Sequence, residues 1–302
     1  MKTVILDSSY RCPDSCAVAL GFFDGIHKGH ESVLLSVLSE RSSNLKTAVF
    51  TFRDSEDFKV GRGRIMSEEM KLAAFSEMGF DYVFLCDFSY VQKMSGETFV
   101  KRVLTEQCGA SLAVCGEGFR FGCGASCTPK DLCDYMNGRA VVCRDYTVDG
   151  LPLSSTYIRN LIESGRVEEA NDLLFSPFCI FARVTHGNGR GRRLSFPTVN
   201  QELSPDIIPV KHGVYASRTL IDGIYRPSVS NIGTRPTFGG SEVTCETHII
   251  GIDADLYGMK IRVELLSLLR DEKRFSSPEA LCEQINKDIE MSKEIWKTYG
   301  IS

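Results

Sequence analysis

The 302-residue chain has no apolar run long enough to span a bilayer, so nothing in it reads as a membrane helix. It also has no secretory leader pattern: the opening MKTVILDSSYRC carries one lysine and a short apolar stretch broken at Asp7. It has little charge of either sign in excess. A net charge of -4 gives no reason to expect nucleic acid or an anionic membrane as partner. The expected compartment is therefore the cytoplasm. Cysteine is plentiful, at twelve, yet no Cys-x-x-Cys pair occurs. Only Cys123, Cys127 and Cys133 have a spacing that invites a metal, and four-cysteine zinc sites need tighter pairs. Without an export signal, disulfides are not expected. The cysteines read as small buried hydrophobes.

What is present is an ordinary globular composition, 43% hydrophobic and 25% charged, at a length that suggests two domains. The first half alternates strand and helix signals. Strands are expected at 16–22, 46–52, 82–86, 112–115 and 140–144, and helices through 33–38, 67–78 and 95–108. Such alternation predicts a parallel α/β sheet with right-handed crossovers. A helical stretch over 154–174, broken at Gly165, ends at Ser176-Pro177, where the domain boundary is placed: 1–176 and 177–302. The second half has short strands at 178–185, 213–220, 225–232, 243–252 and 260–266, separated by turns. With no helix between them, they predict an antiparallel barrel or sandwich. A closing helix starts at Ser277-Pro278.

The densest motif of the first half, Gly21-Phe22-Phe23-Asp24-Gly25-Ile26-His27-Lys28-Gly29-His30, joins the first strong strand to its helix. A helix N-terminus beyond a parallel strand offers unpaired N–H groups and a positive dipole end to phosphate. Gly21, Gly25 and Gly29 permit close approach, and His27 and His30 can aim at one ligand. In the second half, His186 to Asn200 (HGNGRGRRLSFPTVN) places three glycines and three arginines before Pro197-Thr198-Val199-Asn200. The glycine backbone and Arg190 suit a polyphosphate. Thr198 and Asn200 share one face of an extended backbone and suit Mg²⁺.

These strings together resemble the bacterial bifunctional riboflavin kinase/FMN adenylyltransferase (FAD synthetase) family. GFFDGIHKGH matches the HxGH nucleotidylyltransferase signature in the form that family uses. Leu153-Ser154-Ser155-Thr156-Tyr157-Ile158-Arg159 resembles its Ser-Ser-Thr-x-x-Arg motif, and Gly116 to Gly122 resembles its loop ending in Phe-x-Phe-Gly. Phe-Pro-Thr-Val-Asn resembles the Pro-Thr-Ala-Asn segment of riboflavin kinase, and Gly213 to Ala216, Asn231 to Phe238, Asp255 to Gly258 and Arg262 to Phe275 are further similar segments.

The resemblance implies an HxGH-class α/β domain followed by a riboflavin kinase β-barrel with a C-terminal helix. It implies a soluble enzyme with riboflavin, FMN and ATP as substrates, Mg²⁺ as cofactor and no protein-bound redox group. For adenylyl transfer it implies His27 and His30 as catalytic residues. Gly21, Phe23, Asp24, Gly25, Gly29, Ser154, Ser155, Thr156 and Arg159 would lie at ATP. For phosphorylation it implies Glu264 as base, Gly187, Gly189, Arg190, Gly191 and Pro197 at ATP, and Thr198 and Asn200 at the metal. Phe121, Asn231, Arg235 and Arg270 would face flavin. Two positions depart from the family. Gly118 stands where Asp or Asn is usual, and Arg53-Asp54-Ser55-Glu56 stands in place of Pro-His-Pro, putting acids where an imidazole is expected near phosphates. The alternatives are a riboflavin kinase with a degenerate N-terminal module, a non-catalytic flavin sensor, and an adenylyltransferase for another phosphorylated acceptor.

Overall fold

A computed structural model describes residues 1–42, 44–54, 61–186, 194–237, 240–252 and 254–299, with backbone alone for 235–237 and 240–241. The chain divides into two compact units, Met1–Ser155 and Thr156–Ser302.

The first unit is built on a six-stranded sheet in which every pairing is parallel. Its strands are β1 (Lys2–Ile5), β2 (Cys16–Leu20), β3 (Lys46–Phe52), β4 (Tyr82–Cys86), β5 (Ala110–Gly116) and β6 (Ala140–Cys143), in the order β1-β4-β3-β2-β5-β6. All five residues of β2, CAVAL, are buried, as a central parallel strand covered on both faces requires. The order reverses at β2. Strands β3 and β4 lie to one side of it and β5 and β6 to the other, so the crevice beyond the carboxyl ends of β2 and β5 is where a ligand is expected.

Helix α1 (Lys28–Ser39) follows β2 and buries Val33, Leu34 and Val37. Helix α2 (Glu68–Glu77) is capped by Ser67, whose hydroxyl accepts from the Met70 amide at 3.4 Å. After β4 come α3 (Phe88–Val91) and α4 (Gly96–Thr98), which continues as π-helix over Phe99–Gln107. Helix α5 (Pro129–Tyr135) starts with a Thr128/Asp131 capping box. A short hairpin, β7 (Thr147–Val148) and β8 (Leu151–Pro152), closes the unit.

The second unit opens with helices α6 (Ser155–Glu163) and α7 (Val167–Leu173). They are separated at Gly165, whose φ of +82° is left-handed and whose Cβ would meet the Lys211 and Leu268 side chains at 2.8 and 2.9 Å. Six antiparallel strands then close into a barrel rather than a sandwich. These are β9 (Cys179–Thr185), β10 (Val199–Glu202), β11 (Gly213–Ile221), β12 (Ile224–Thr237), β13 (Gly240–Ile249) and β14 (Lys260–Arg270), ordered β10-β13-β12-β11-β14-β9. The barrel interior includes hydroxyl groups that satisfy one another: Ser217 with Ser228 and Ser230, and Ser230 with Thr247, each at 2.8 Å. Helix α8 (Pro278–Thr298) packs on the barrel through Ile289, against Val214 and Val229. Helix α7 is tied to the same unit by Asn171, whose amide donates to the Leu265 carbonyl at 2.8 Å.

No helix among the described residues is long and apolar enough to cross a membrane. Cys16, Cys86, Cys108, Cys115, Cys179 and Cys245 are buried and Cys123 is exposed. The described residues hold no group of three His, Cys, Asp or Glu able to bind a metal ion.

Candidate active sites

In the first unit the β2–α1 loop reaches the crevice at the reversal point. Phe23, Gly25 and Ile26 all take positive φ, at 55°, 87° and 41°. Gly25 suits this left-handed backbone, where any other residue would be strained and its Cβ would crowd the Ile65 side chain at 3.0 Å. His27 is the N-cap of α1, and its Nδ1 accepts from the His30 amide at 3.3 Å. One turn on, His30 stacks on it with ring centroids 3.7 Å apart. Both rings line a cavity of about 670 Å³. Its far wall is aromatic and includes Phe52, Phe88 and Phe121, with Phe121 stacked on Phe119 at 5.6 Å. Gly21, Phe23, Gly29, Ser154 and Ser155 also line it.

Burial pushes the His27 imidazole down to about 4. Burial, reinforced by His27 and by the Lys71 ammonium, holds His30 well below the ordinary histidine range. Both rings are therefore neutral at pH 7, each with one N–H to donate. Neutral donors and helix N–H groups around this cavity can stabilise charge that develops on a phosphorus in transfer.

Two expectations change here, those for Asp24 and Gly25. Asp24 is 1% exposed and does not line the cavity. Its carboxylate accepts from the Ile65 amide at 2.9 Å and the Met66 amide at 3.2 Å, so it braces the loop; an anion would also repel phosphate. Gly25 likewise shapes the turn without lining the cavity. The Ser155 hydroxyl donates to the Asp24 carbonyl at 3.0 Å, which fixes the loop from a second side. Thr156 and Arg159 follow on the first turns of α6, with Arg159 6% exposed.

The acid that replaces an imidazole is also less disruptive than its charge suggests. Asp54 lies 3.3 Å from Arg64 and 3.9 Å from Lys71, and accepts from the Glu68 amide at 2.9 Å. Its charge is offset by two cations and turned toward the start of α2. Gly118 lines the cavity with open space where a Cβ would stand. The same cavity holds Asp145, whose carboxyl is raised by burial and then by Glu117.

In the second unit the largest correction concerns Glu264. In the sequence Ile261, Val263 and Leu265 alternate with Arg262 and Glu264, a pattern that by itself puts Glu264 on a solvent-facing side, and the family resemblance implies it as the base. It is instead fully buried, paired with Arg218 and with Arg262 at 2.8 Å, and it accepts from the Tyr225 hydroxyl at 2.7 Å. Its register also places it far from the metal candidates. Glu264 pairs with Cys179 on β9, whereas Asn200 pairs with Thr185, about 20 Å further along that strand. A carboxylate held by two guanidiniums at the other end of the barrel is not the base.

The carboxylate that does meet Asn200 is Glu246. It stands directly across from Asn200 in the β10–β13 pairing and across from Asn231 in the β12–β13 pairing. Residues opposite each other project to the same face, here the face away from the interior Thr247 and Ser230. Asn231 also donates to Glu272 at 3.2 Å. Sequence reasoning missed Glu246, although its alternation with buried Cys245 and Thr247 was a usable signal. Pro197 and Thr198 line a small pocket with Val184, Thr247, Leu256 and Tyr257, and the Pro197 carbonyl contacts His248 Nδ1 at 2.9 Å. Asn200 lies two residues on. Arg270, expected at flavin, is clamped by Asp288 of α8 at 2.8 and 3.1 Å, so it joins strand to helix. Gly187, Gly189, Arg190 and Gly191 lie outside the described residues, as does the Arg235 side chain.

Two stacked, neutral histidines at a glycine-shaped helix start, and a closed barrel with a Thr/Asn/Glu row, define a two-unit nucleotide-using transferase. Residues 9–157 match the FAD synthetase family model and residues 174–296 match that of riboflavin kinase. The chain is 33% identical over 297 residues to the bifunctional riboflavin kinase/FMN adenylyltransferase of Escherichia coli (strain K12), covering 94% of this chain and 93% of that protein. It is 31% identical over 283 residues to the Bacillus subtilis (strain 168) protein of the same name, covering 90% and 89%. A solved Streptococcus pneumoniae structure described as a macrolide-efflux protein superimposes with a TM-score of 0.87 at 28% identity, over 96% of this chain and 98% of that one. The chain belongs to the bifunctional riboflavin kinase/FMN adenylyltransferase family.

Proposed function

We propose that this chain makes both flavin cofactors in sequence. Its barrel transfers the γ-phosphoryl group of ATP to the 5′-hydroxyl of riboflavin, giving FMN. Its α/β unit transfers AMP from a second ATP to FMN, giving FAD and pyrophosphate. We place the functional boundary at 176/177, close to residue 174, where the riboflavin kinase match begins.

For adenylylation, the observation that carries the reading is the His27–His30 stack in the wall of a cavity of about 670 Å³, within the range of small-molecule sites. The histidine N–H groups and the α1 N-terminus favour the transferred phosphorus and its oxygens. The aromatic wall around Phe121 suits planar rings. Gly21, Phe23, Gly29, Ser154 and Ser155 face ATP, with Thr156 and Arg159 at the same helix start, while Asp24 and Gly25 hold the loop in shape.

For phosphorylation, the reading rests on the Asn200–Glu246–Asn231 row. Glu246 takes the proton of the attacking hydroxyl. Thr198 and Asn200 offer hard oxygen ligands of the kind Mg²⁺ accepts together with phosphate oxygens, and Mg²⁺ there would offset the phosphate charge. Pro197 and the glycine- and arginine-rich segment before it lie toward ATP, and Asn231 and Arg235 toward flavin. Arg270 acts through α8 rather than on flavin.

Product analysis with riboflavin and MgATP tests both steps: FMN should appear first and FAD second. FMN alone, even when FMN is supplied in excess, would establish the kinase-only alternative that Gly118 and Asp54 motivate.

A further inference from the structure

Asp145 is the only carboxylate among the described residues that line the cavity of about 670 Å³. It stands two residues past Cys143, which pairs with Gly116 at the carboxyl ends of β5 and β6. The Asp145 amide donates to the Glu117 carboxylate at 3.1 Å, which fixes the backbone from the β5 side. Its Oδ1 lies 3.8 Å from the point where a Cβ on Gly116 would stand. Gly118, two residues on, also lines the cavity, so neither glycine adds a side chain to the wall beside this acceptor. The carboxylate itself meets no hydrogen-bond donor and no cation among the described residues. Burial, and then Glu117, raises its carboxyl, as fits a place without positive charge.

An ionised carboxylate accepts hydrogen bonds and donates none, and partial burial without a partner strips it of hydration. A ligand that brings donors offsets that loss; a phosphate, itself an anion, does not. Position narrows the choice of donor. A Cβ on Gly29 would stand 3.2 Å from the His27 ring and 3.8 Å from the Tyr146 Cβ, so the 145–146 segment runs beside the helix start that carries the histidine pair. Next to the reacting phosphate, ATP carries a ribose and FMN a ribityl chain, each with adjacent hydroxyls. Both are neutral and both donate. The ring N–H groups of adenine and flavin lie farther from the phosphate.

We propose that Asp145 is a specificity-determining residue of adenylylation: its carboxylate accepts from adjacent hydroxyls of the sugar next to the reacting phosphate, the ribose of ATP or the ribityl chain of FMN. The histidine pair then meets phosphate and Asp145 meets sugar on neighbouring stretches of one wall. This rests on the reading that the cavity holds both substrates for adenylylation.

The test uses the full chain with Asp145→Ala and Asp145→Asn. Each substrate is compared with a form that lacks the hydroxyls: 2′-deoxy-ATP and 3′-deoxy-ATP against ATP, and a flavin phosphate with an unhydroxylated chain of the same length against FMN. The unaltered protein should prefer one hydroxylated substrate by about 10- to 100-fold in kcat/KM for FAD formation or its analogue. In Asp145→Ala that preference should fall to within about threefold, because variant and analogue remove the same hydrogen bonds. KM for the hydroxylated substrate should rise by a similar factor, with kcat within about threefold. Asp145→Asn, which keeps an acceptor oxygen but not the charge, should lie between. The melting temperature should not fall in either variant, since the side chain has no partner in the fold to lose. A preference lost for ATP assigns the ribose; one lost for FMN assigns the ribityl chain. An unaltered protein without either preference overturns the proposal, and so do preferences that survive in Asp145→Ala, even if KM rises. No FAD from the unaltered chain would remove the adenylylation reading and this proposal together, whereas FAD formation with unmoved preferences removes this proposal alone.

Discussion

Glu246 and Asn200 face each other across β13 and β10, although 46 positions separate them in sequence. Glu264 lies on another strand, buried between Arg218 and Arg262. Two carboxylates of one barrel therefore have opposite surroundings, and substitution separates the roles proposed for them.

Glu246→Gln should lower kcat for riboflavin phosphorylation by about 10²- to 10⁴-fold, with little change in melting temperature. Glu264→Gln should do the reverse. It leaves two arginines without their counter-charge, costing about 3–5 kcal/mol, and lowers the melting temperature while folded enzyme keeps its turnover. Steady-state kinetics and calorimetry on both variants check this.

His27→Asn and His30→Asn should each reduce FAD formation from FMN by about 10²- to 10³-fold. Riboflavin phosphorylation should be unaffected, so either variant supplied with riboflavin and MgATP accumulates FMN. Chromatography of the products reads the result directly.

The histidines also set a pH limit. His27 ionises near its ordinary 6.5 when unfolded and at about 4 when folded, so the unfolded chain binds more protons between those values. The stability this contributes is complete above pH 6.5 and is lost as pH falls toward 4, on the order of 3 kcal/mol for His27. His30 shifts in the same direction. Urea melts of the first unit's signal should weaken across that window, and His27→Gln should flatten the dependence.

Removing the Asp24 carboxylate should loosen the β2–α1 loop. Asp24→Ala leaves the buried Ile65 and Met66 amides without their acceptor, at about 1–3 kcal/mol, and should raise KM for ATP in adenylylation. Thermal melts and initial rates measured on one preparation check both effects.

Asn200→Ala should raise the Mg²⁺ concentration needed for half-maximal phosphorylation by about tenfold and leave adenylylation on its original Mg²⁺ curve. Mg²⁺ titrations of the two activities in the same protein check this.

Much of the architecture was legible in sequence because it is written locally. The apolar run of β2, the His27 and His30 spacing, and the Ser67 cap each depend on residues within a turn or two. Elements with weaker local signals escaped notice. Strand β1 has four residues at the sheet edge, and α5 was marked only by Thr128-Pro129 and Asp131. Glu264 misled because alternation along β14 describes a strand with one wet face. That strand has no wet face there: Val263 to Ser267 are all buried, and Asn171 of α7 and Tyr299 past α8 donate to the carbonyls of Leu265 and Leu266. Asp54 misled in the opposite sense, since its charge is offset by Arg64 and Lys71 from farther along the chain.

Sequence alone determined the order of the two units, the glycine-shaped β2–α1 loop with its histidine pair, and the Thr198/Asn200 motif, because covalent spacing sets which neighbours share a turn or a strand face. Only the tertiary structure decided which carboxylate meets Asn200, which acids are neutralised, and that the Lys71 ammonium lies over the Phe22 ring. Those relationships depend on cross-strand register and on helices laid over sheets, which bring together residues that no local period connects.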